Sequence, residues 1–258
     1  MNYVYETHLH TVEASKCGKT PGKDYIDYMI DLGYSGMIVT DHFFTGNSCV
    51  PADLPWSERV EMYCSGYEHA LEAAKGRDFT VMFGIEYNFQ GDEYLLYGID
   101  KEWLLAHPEI MERDRCLVRD LVHEAGGIMV QAHPYRERDY LSAIHLMPSV
   151  CDGIECYNAA NPDYQNALGY HFGKEHDFLM TGGSDIHLLG QKDMGGTSFP
   201  YKIGSISEFV RAFKAGDGTP VQKRNAAEAK KFISVEATSE LTTVTQPPVL
   251  PVIDHDNL

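Results

Sequence analysis

In this chain, one strand-like run after another ends on a residue able to bind a metal ion. Residues 4–8 end on His8, and Leu9 separates it from His10. Residues 36–40 lead into Asp41-His42, residues 79–85 into Glu86, and residues 128–132 into His133. Residues 178–181 lead on to Ser184-Asp185-Ile186-His187. Further strand-like runs cover 94–99 and 153–156. Between them the apolar residues recur at helical spacing over 25–32, with Gly33 as the stop, over 55–75, and over 109–125, where Gly126-Gly127 ends the pattern. Strands alternating with helices predict a parallel sheet. Ligand-type residues at successive strand ends predict a β/α barrel, because there the C-terminal strand ends converge on one mouth.

The length suits that architecture. The chain has 258 residues, 43% of them hydrophobic, and one α/β barrel takes roughly 200–250. No internal repeat or interdomain linker is visible. The expected organisation is one barrel domain over 1–240 and an extended, Thr- and Pro-rich tail over 241–258. No apolar stretch approaches the roughly 20 residues of a membrane helix. The first residues show no basic flank followed by an apolar run, so a cytoplasmic protein is expected. Six cysteines are scattered without a C-x-x-C pair, which reads as buried thiols rather than disulfides or a zinc ribbon. Cys17 alone is close to the N-terminal histidines in sequence.

The formal charge is −17, from 21 basic and 38 acidic residues. Such a balance argues against long nucleic acid, whose backbone is normally met by clustered Lys and Arg. It leaves room for a small anionic substrate guided by bound cations.

On a strand, residues i and i+2 face the same side, so His8 and His10 can reach one ion; Asp185 and His187 repeat that spacing. Any single one of these residues is as well explained by a satisfied polar strand end. The ordered set is not, because buried charges need partners.

The set His-x-His, Asp-His, Glu, His-Pro, Asp-x-His resembles the polymerase and histidinol phosphatase (PHP) family over residues 3–188. That resemblance implies a distorted (β/α)7 barrel with a cluster of two or three Zn, Mn or Fe ions at the C-terminal mouth of the strands. Members include histidinol-phosphate and nucleotide phosphatases, oligonucleotide exonucleases and bacterial tyrosine phosphatases. Carried over by position, His8, His10, Glu86 and Asp185 hold one ion. Glu86 bridges to a second that His133 also binds, and His42 and His187 hold a third. The chain departs from the family pattern twice. Glu13 stands for the Asp or His that often follows the first motif, as a ligand of the third ion. Glu93 stands where a His is common on the strand after Glu86.

The implied reaction is hydrolysis of a phosphate monoester by a metal-activated hydroxide. Arg136 would fork onto phosphate oxygens. Asp41 would protonate the leaving group unless it is fixed as the partner of a ligating histidine. Lys19 is a weaker candidate for phosphate, and Asn158 and His171 have no assigned role. The partner expected is a small phosphorylated molecule. The alternatives are a 3′–5′ exonuclease or phosphodiesterase on short oligonucleotides, or a metal-binding module without catalysis. Metal identity and oligomeric state are not legible in the sequence.

Overall fold

The computed structural model describes residues 2–256. In chain order the elements are β1 (Tyr3–Glu6), α1 (Tyr25–Leu32), β2 (Gly36–Val39), α2 (Trp56–Ala73), β3 (Thr80–Phe89), β4 (Asp92–Tyr97), α3 (Lys101–Ala106), α4 (Arg115–Glu124), β5 (Ile128–Gln131) and β6 (Ile144–Leu146). Then come β7 (Gly153–Asn158), α5 (Asp163–Glu175), β8 (Leu179–Gly183), β9 (Met194–Phe199), α6 (Ile206–Lys214), β10 (Thr219–Lys223), β11 (Ile233–Ser234), α7 (Ser239–Thr242) and β12 (Val252–Asp254). All but β6 and β12 form one ten-stranded sheet in the order β11-β10-β9-β1-β2-β3-β4-β5-β7-β8.

The sheet curls until its last strand meets its first half. The Thr7 hydroxyl donates to Gly182 O at 2.8 Å, and Gly182 N–H donates to Thr197 Oγ1 at 3.2 Å. Beyond β1 and β8 the chain stays extended, and Leu9 bridges Ile186 in parallel. His10 N–H donates to Ile186 O at 3.0 Å. The His-x-His and Asp-x-His segments therefore run side by side, which closes the curled α/β barrel.

Alternating residues on the strands face opposite ways, as the pleat requires. Ile38, Leu95 and Val130 pack with Phe209, Val210 and Phe213 of α6. Met37 and Val39 turn instead toward Ile26 and Met29 of α1, while Leu96 and Met129 meet Val118 and Val122 of α4. Each such large side chain, fully buried, contributes roughly 1.5–3 kcal/mol. Close strand packing needs Gly36: a Cβ there would lie 2.5 Å from Thr80 O and 2.9 Å from the Tyr5 ring.

Three local outcomes refine the sequence expectations. The stop at Gly33 is as read: it has φ 92°, and its N–H donates to Ile30 O, a conformation that favours glycine. The helix expected over 109–125 begins only at Arg115. Asp114 is extended and its carboxylate accepts from Leu117 N–H, so it caps the helix there. The barrel also departs from strict strand–helix alternation. β3 turns at Gln90-Gly91, both at positive φ, and β4 returns antiparallel to it, while β9, β10 and β11 form an antiparallel meander beside β1.

Within the segment 241–258, whose last two residues lie outside the described ones, β12 pairs in parallel with β6. Among the described residues no helix is long and apolar enough to cross a membrane.

Candidate metal centre

The extensions of β1, β2 and β3 keep their ladder beyond the regular strands, and that pairing aims the polar residues. Thr40 N–H donates to Leu9 O, Glu86 N–H to Asp41 O, and Phe43 N–H to Glu86 O, all at 2.8–3.0 Å. His8 and His10 thus face one side together while Leu9 is buried on the other.

Glu86 is the hub. Its Oε1 lies 3.1 Å from His8 Nε2 and 3.3 Å from His133 Nε2. Its Oε2 lies 2.6 Å from His42 Nδ1 and 3.4 Å from His10 Nε2. Asp185 Oδ1 sits 3.1 Å from His10 Nε2 and 3.5 Å from His8 Nε2. Glu93 reaches across from β4, with Oε2 3.4 Å from His133 Nε2 and Oε1 3.7 Å from His42 Nδ1. Two of the ligand-bearing residues, His133 and Asp185, have φ of 29° and 51°, strained backbone of the kind that collects at functional sites.

Four groups of three donors each fall close enough together to share a cation. They are His8/His10/Asp185, His8/Glu86/His133, His42/Glu86/Glu93 and His10/His42/His187. The donor chemistry fits divalent metal. His8 Nε2, His10 Nε2, His42 Nδ1 and Glu86 Oε2 are buried with no hydrogen-bond partner, although each has an opposite donor within 3.5 Å. Short approaches without hydrogen-bond geometry are the arrangement that ligands around a shared ion adopt. Buried polar atoms left unsatisfied would otherwise be costly.

The electrostatics agree. Burial pushes the Asp185 and Glu86 carboxyls up, but neighbouring charges, His8 and Arg136 for Asp185 and His42 and His8 for Glu86, hold both well below the usual range. Burial lowers His10 to about 3, so it is a neutral ligand at neutral pH. Burial and the Glu86 charge push Glu93 up to about 7.

An outer ring orients these side chains. Glu155 Oε1 meets His8 Nδ1 at 3.0 Å, and Glu155 Oε2 accepts from His133 N–H at 3.0 Å and Asn158 Nδ2 at 2.9 Å. A carboxylate behind a ligating imidazole fixes its tautomer and raises its basicity. The sequence reading passed over Glu155, although an acid in the middle of the apolar strand 153–156 was a signal. Asp41 is drawn inward too. Its carboxylate accepts from Thr11 N–H, the Thr11 hydroxyl and the Ser15 hydroxyl at 2.6–2.7 Å, and Ser15 Oγ meets His10 Nδ1 at 3.0 Å. That geometry links Asp41 to His10 through Ser15 and leaves its carboxylate buried.

The remaining expected residues divide. Glu13 is not brought to the cluster: its carboxylate accepts from Gly22 N–H and pairs with His69. The family resemblance placed it near the third ion, but the loop turns its carboxylate away from the cluster, and it is Cys17 that lies beside His187, with Sγ 3.1 Å from Nε2. Burial raises the Cys17 thiol, yet His187 and His42 outweigh it and bring it down to about 6. Arg136 is in the site, 8% exposed. Its Nη1 donates to Asp185, its Nη2 to Asn158 at 2.7 Å and its Nε to Asn161 at 2.7 Å. Lys19 contributes its N–H to His187 O. His171 lies outside the site against Thr242 O. The donors open onto a cleft of about 810 Å³, rimmed by Thr45, Asn88, Arg138 and Tyr140.

A curled α/β barrel carrying imidazoles and carboxylates at its C-terminal strand ends is the architecture of the PHP-type proteins that the sequence motifs resemble. Comparison with solved structures bears this out at the level of the fold. The chain is similar to a two-domain protein containing a PHP-like metal-dependent phosphoesterase from Bacteroides vulgatus, with a TM-score of 0.64 and 14% identity; the match covers 85% of this chain and 64% of that longer one. It is similar to a metal-dependent phosphoesterase from Bifidobacterium adolescentis, with a TM-score of 0.51, 17% identity, and coverage of 78% and 90%. It is also similar to Endonuclease Q, solved with a duplex bearing an abasic lesion, with a TM-score of 0.51, 13% identity, and coverage of 83% and 57%. No protein-family model matches the chain, and no curated protein matches it.

Proposed function

We propose that this protein is a hydrolase that cleaves small phosphate monoesters with the help of two or three divalent cations. The observation that carries the reading is the convergence of four imidazoles on one buried carboxylate, Glu86, with the facing nitrogens of His8, His10 and His42 and one Glu86 oxygen left without a hydrogen-bond partner. His8, His10, Glu86 and Asp185 would hold one ion, Glu86, His133 and Glu93 a second, and His42 with His187 a third. Such ions, when bound, supply Lewis-acid charge to a phosphoryl oxygen and a water made acidic enough to react near neutral pH.

The protein's own groups supply the rest. Glu155 and Ser15 hold His8 and His10 in the tautomers that leave Nε2 free to ligate. Arg136, whose three nitrogens are held by Asp185, Asn158 and Asn161, lines the cleft, and its charge offsets the charge that develops on the phosphoryl group. The cleft is wide enough for a small metabolite, and the net charge of −17 disfavours a long polyanion.

The test uses the purified chain loaded with Mn or Zn. Hydrolysis of p-nitrophenyl phosphate is expected, and the paired substitution His8→Ala with His187→Ala should abolish it. Faster turnover of bis(p-nitrophenyl) phosphate or short oligonucleotides would replace this reading with a diesterase. Bound metal without turnover of any phosphoester would leave a metal-binding module.

A further inference from the structure

We propose that Cys17 is a metal ligand, completing a mixed sulfur–nitrogen site with His42 and His187 that takes a zinc-like ion. The proposal rests on the metal-centre reading and goes beyond it, since it gives one ion a thiolate donor that imidazole and carboxylate motifs do not contain.

The local backbone is built to present this sulfur. Lys19 N–H donates to His187 O at 2.8 Å, and Lys16 N–H to Asn47 O at 2.9 Å, so the residues on both sides of Cys17 are tied down. Gly18 permits the tight approach, because a Cβ there would lie 2.2 Å from Thr11 O. The sulfur ends 3.1 Å from His187 Nε2, and the His187 ring centroid lies 6.2 Å from that of His42. Two donors on one tetrahedral zinc, with Zn–S of about 2.3 Å and Zn–N of about 2.0–2.1 Å, stand about 3.5 Å apart, so the Cys17–His187 pair needs to open by only a few tenths of an ångström. Independently of the cysteine, His42 and His187 belong to a group of donor atoms close enough for one ion, and His42 Nδ1 is buried with no hydrogen-bond partner. Glu13, the oxygen donor the sequence offered for this place, points away toward Gly22 and His69.

The chemical consequence is selectivity. Thiolate favours zinc over manganese, whereas carboxylate and water suit manganese. The other thiols are elsewhere: Cys64 and Cys156 are buried in apolar clusters, Cys49 donates to Glu13 O, and Cys116 is exposed on α4 while Cys151 packs against the core.

The experiment loads the full chain with cobalt(II) as a spectroscopic stand-in and compares Cys17→Ala and Cys17→Asp. The wild-type protein should show a near-ultraviolet thiolate-to-cobalt charge-transfer band, and one thiol should become unreactive to a disulfide reagent on metal addition. Cys17→Ala should lose the band and one metal equivalent per chain; Cys17→Asp should recover the equivalent without the band, which separates ligation from folding. Cobalt bound by the wild type without the band, or a band that persists in Cys17→Ala, overturns the assignment and leaves the metal centre standing. A wild-type chain that binds no cobalt overturns both.

Discussion

Glu86 shows how much one side chain decides. With both oxygens facing imidazoles, it can serve more than one ion, and no other carboxylate in the cluster meets as many histidines. Its neighbour Glu155 acts through His8, so Glu155→Gln keeps the shape but weakens the acceptor behind the imidazole. Removing an outer carboxylate of this kind costs about 10–100-fold in metal affinity or activity. Titration of Zn or Mn into Glu155→Gln should show that loss with the melting curve of the metal-free protein little changed. Unchanged affinity would mean that Glu155 merely fills space. At this scale the motif histidines were legible because their spacing is that of a strand. Glu155 and Cys17 left weaker signals, an acid inside an apolar strand and a thiol close in sequence to the first histidines, since neither stands in a recognisable spacing to its partner.

Among the elements, β1 and its extension carry the most. Glu6 is buried at the end of β1, where Oε1 accepts from His8 N–H and Ser184 N–H at 2.9 Å, and Tyr34 donates to Oε2 at 3.3 Å. It clamps the two ligand-bearing segments together. Burial pushes its carboxyl from 4.5 up to about 7. A carboxyl raised on folding favours the folded state below its unfolded value and opposes it as pH rises through the folded one. In chelator, the melting temperature should therefore fall between pH 4.5 and 7 on account of this group, and Glu6→Gln should flatten that part of the profile. An unaltered profile in the variant would show that Glu6 titrates normally. The late start of α4 belongs to this scale as well. The apolar spacing over 109–125 continued across Asp114, and the cap decided where the helix began.

For the molecule as a whole, the cluster concentrates acids and imidazoles in a buried mouth, and cations that bind only the folded chain stabilise it by mass action. At a metal concentration about a hundredfold above Kd the gain is about 2.7 kcal/mol, or roughly 5–10 °C in Tm for a chain of this size. Calorimetry with and without chelator measures it, and identical melting would contradict a filled cluster.

The sequence by itself determined the alternation of strands and helices, the barrel class, and the positions of most metal-type side chains, because pleat and helix periodicities and strand-end placement are local properties. Closure of the sheet through Leu9 and Ile186, the antiparallel return of β4, the inward turn of Asp41 and the approach of Cys17, rather than Glu13, to His187 were settled only by the tertiary structure. Each depends on which distant backbone lies alongside and how much room it leaves, and no spacing along one chain carries that information.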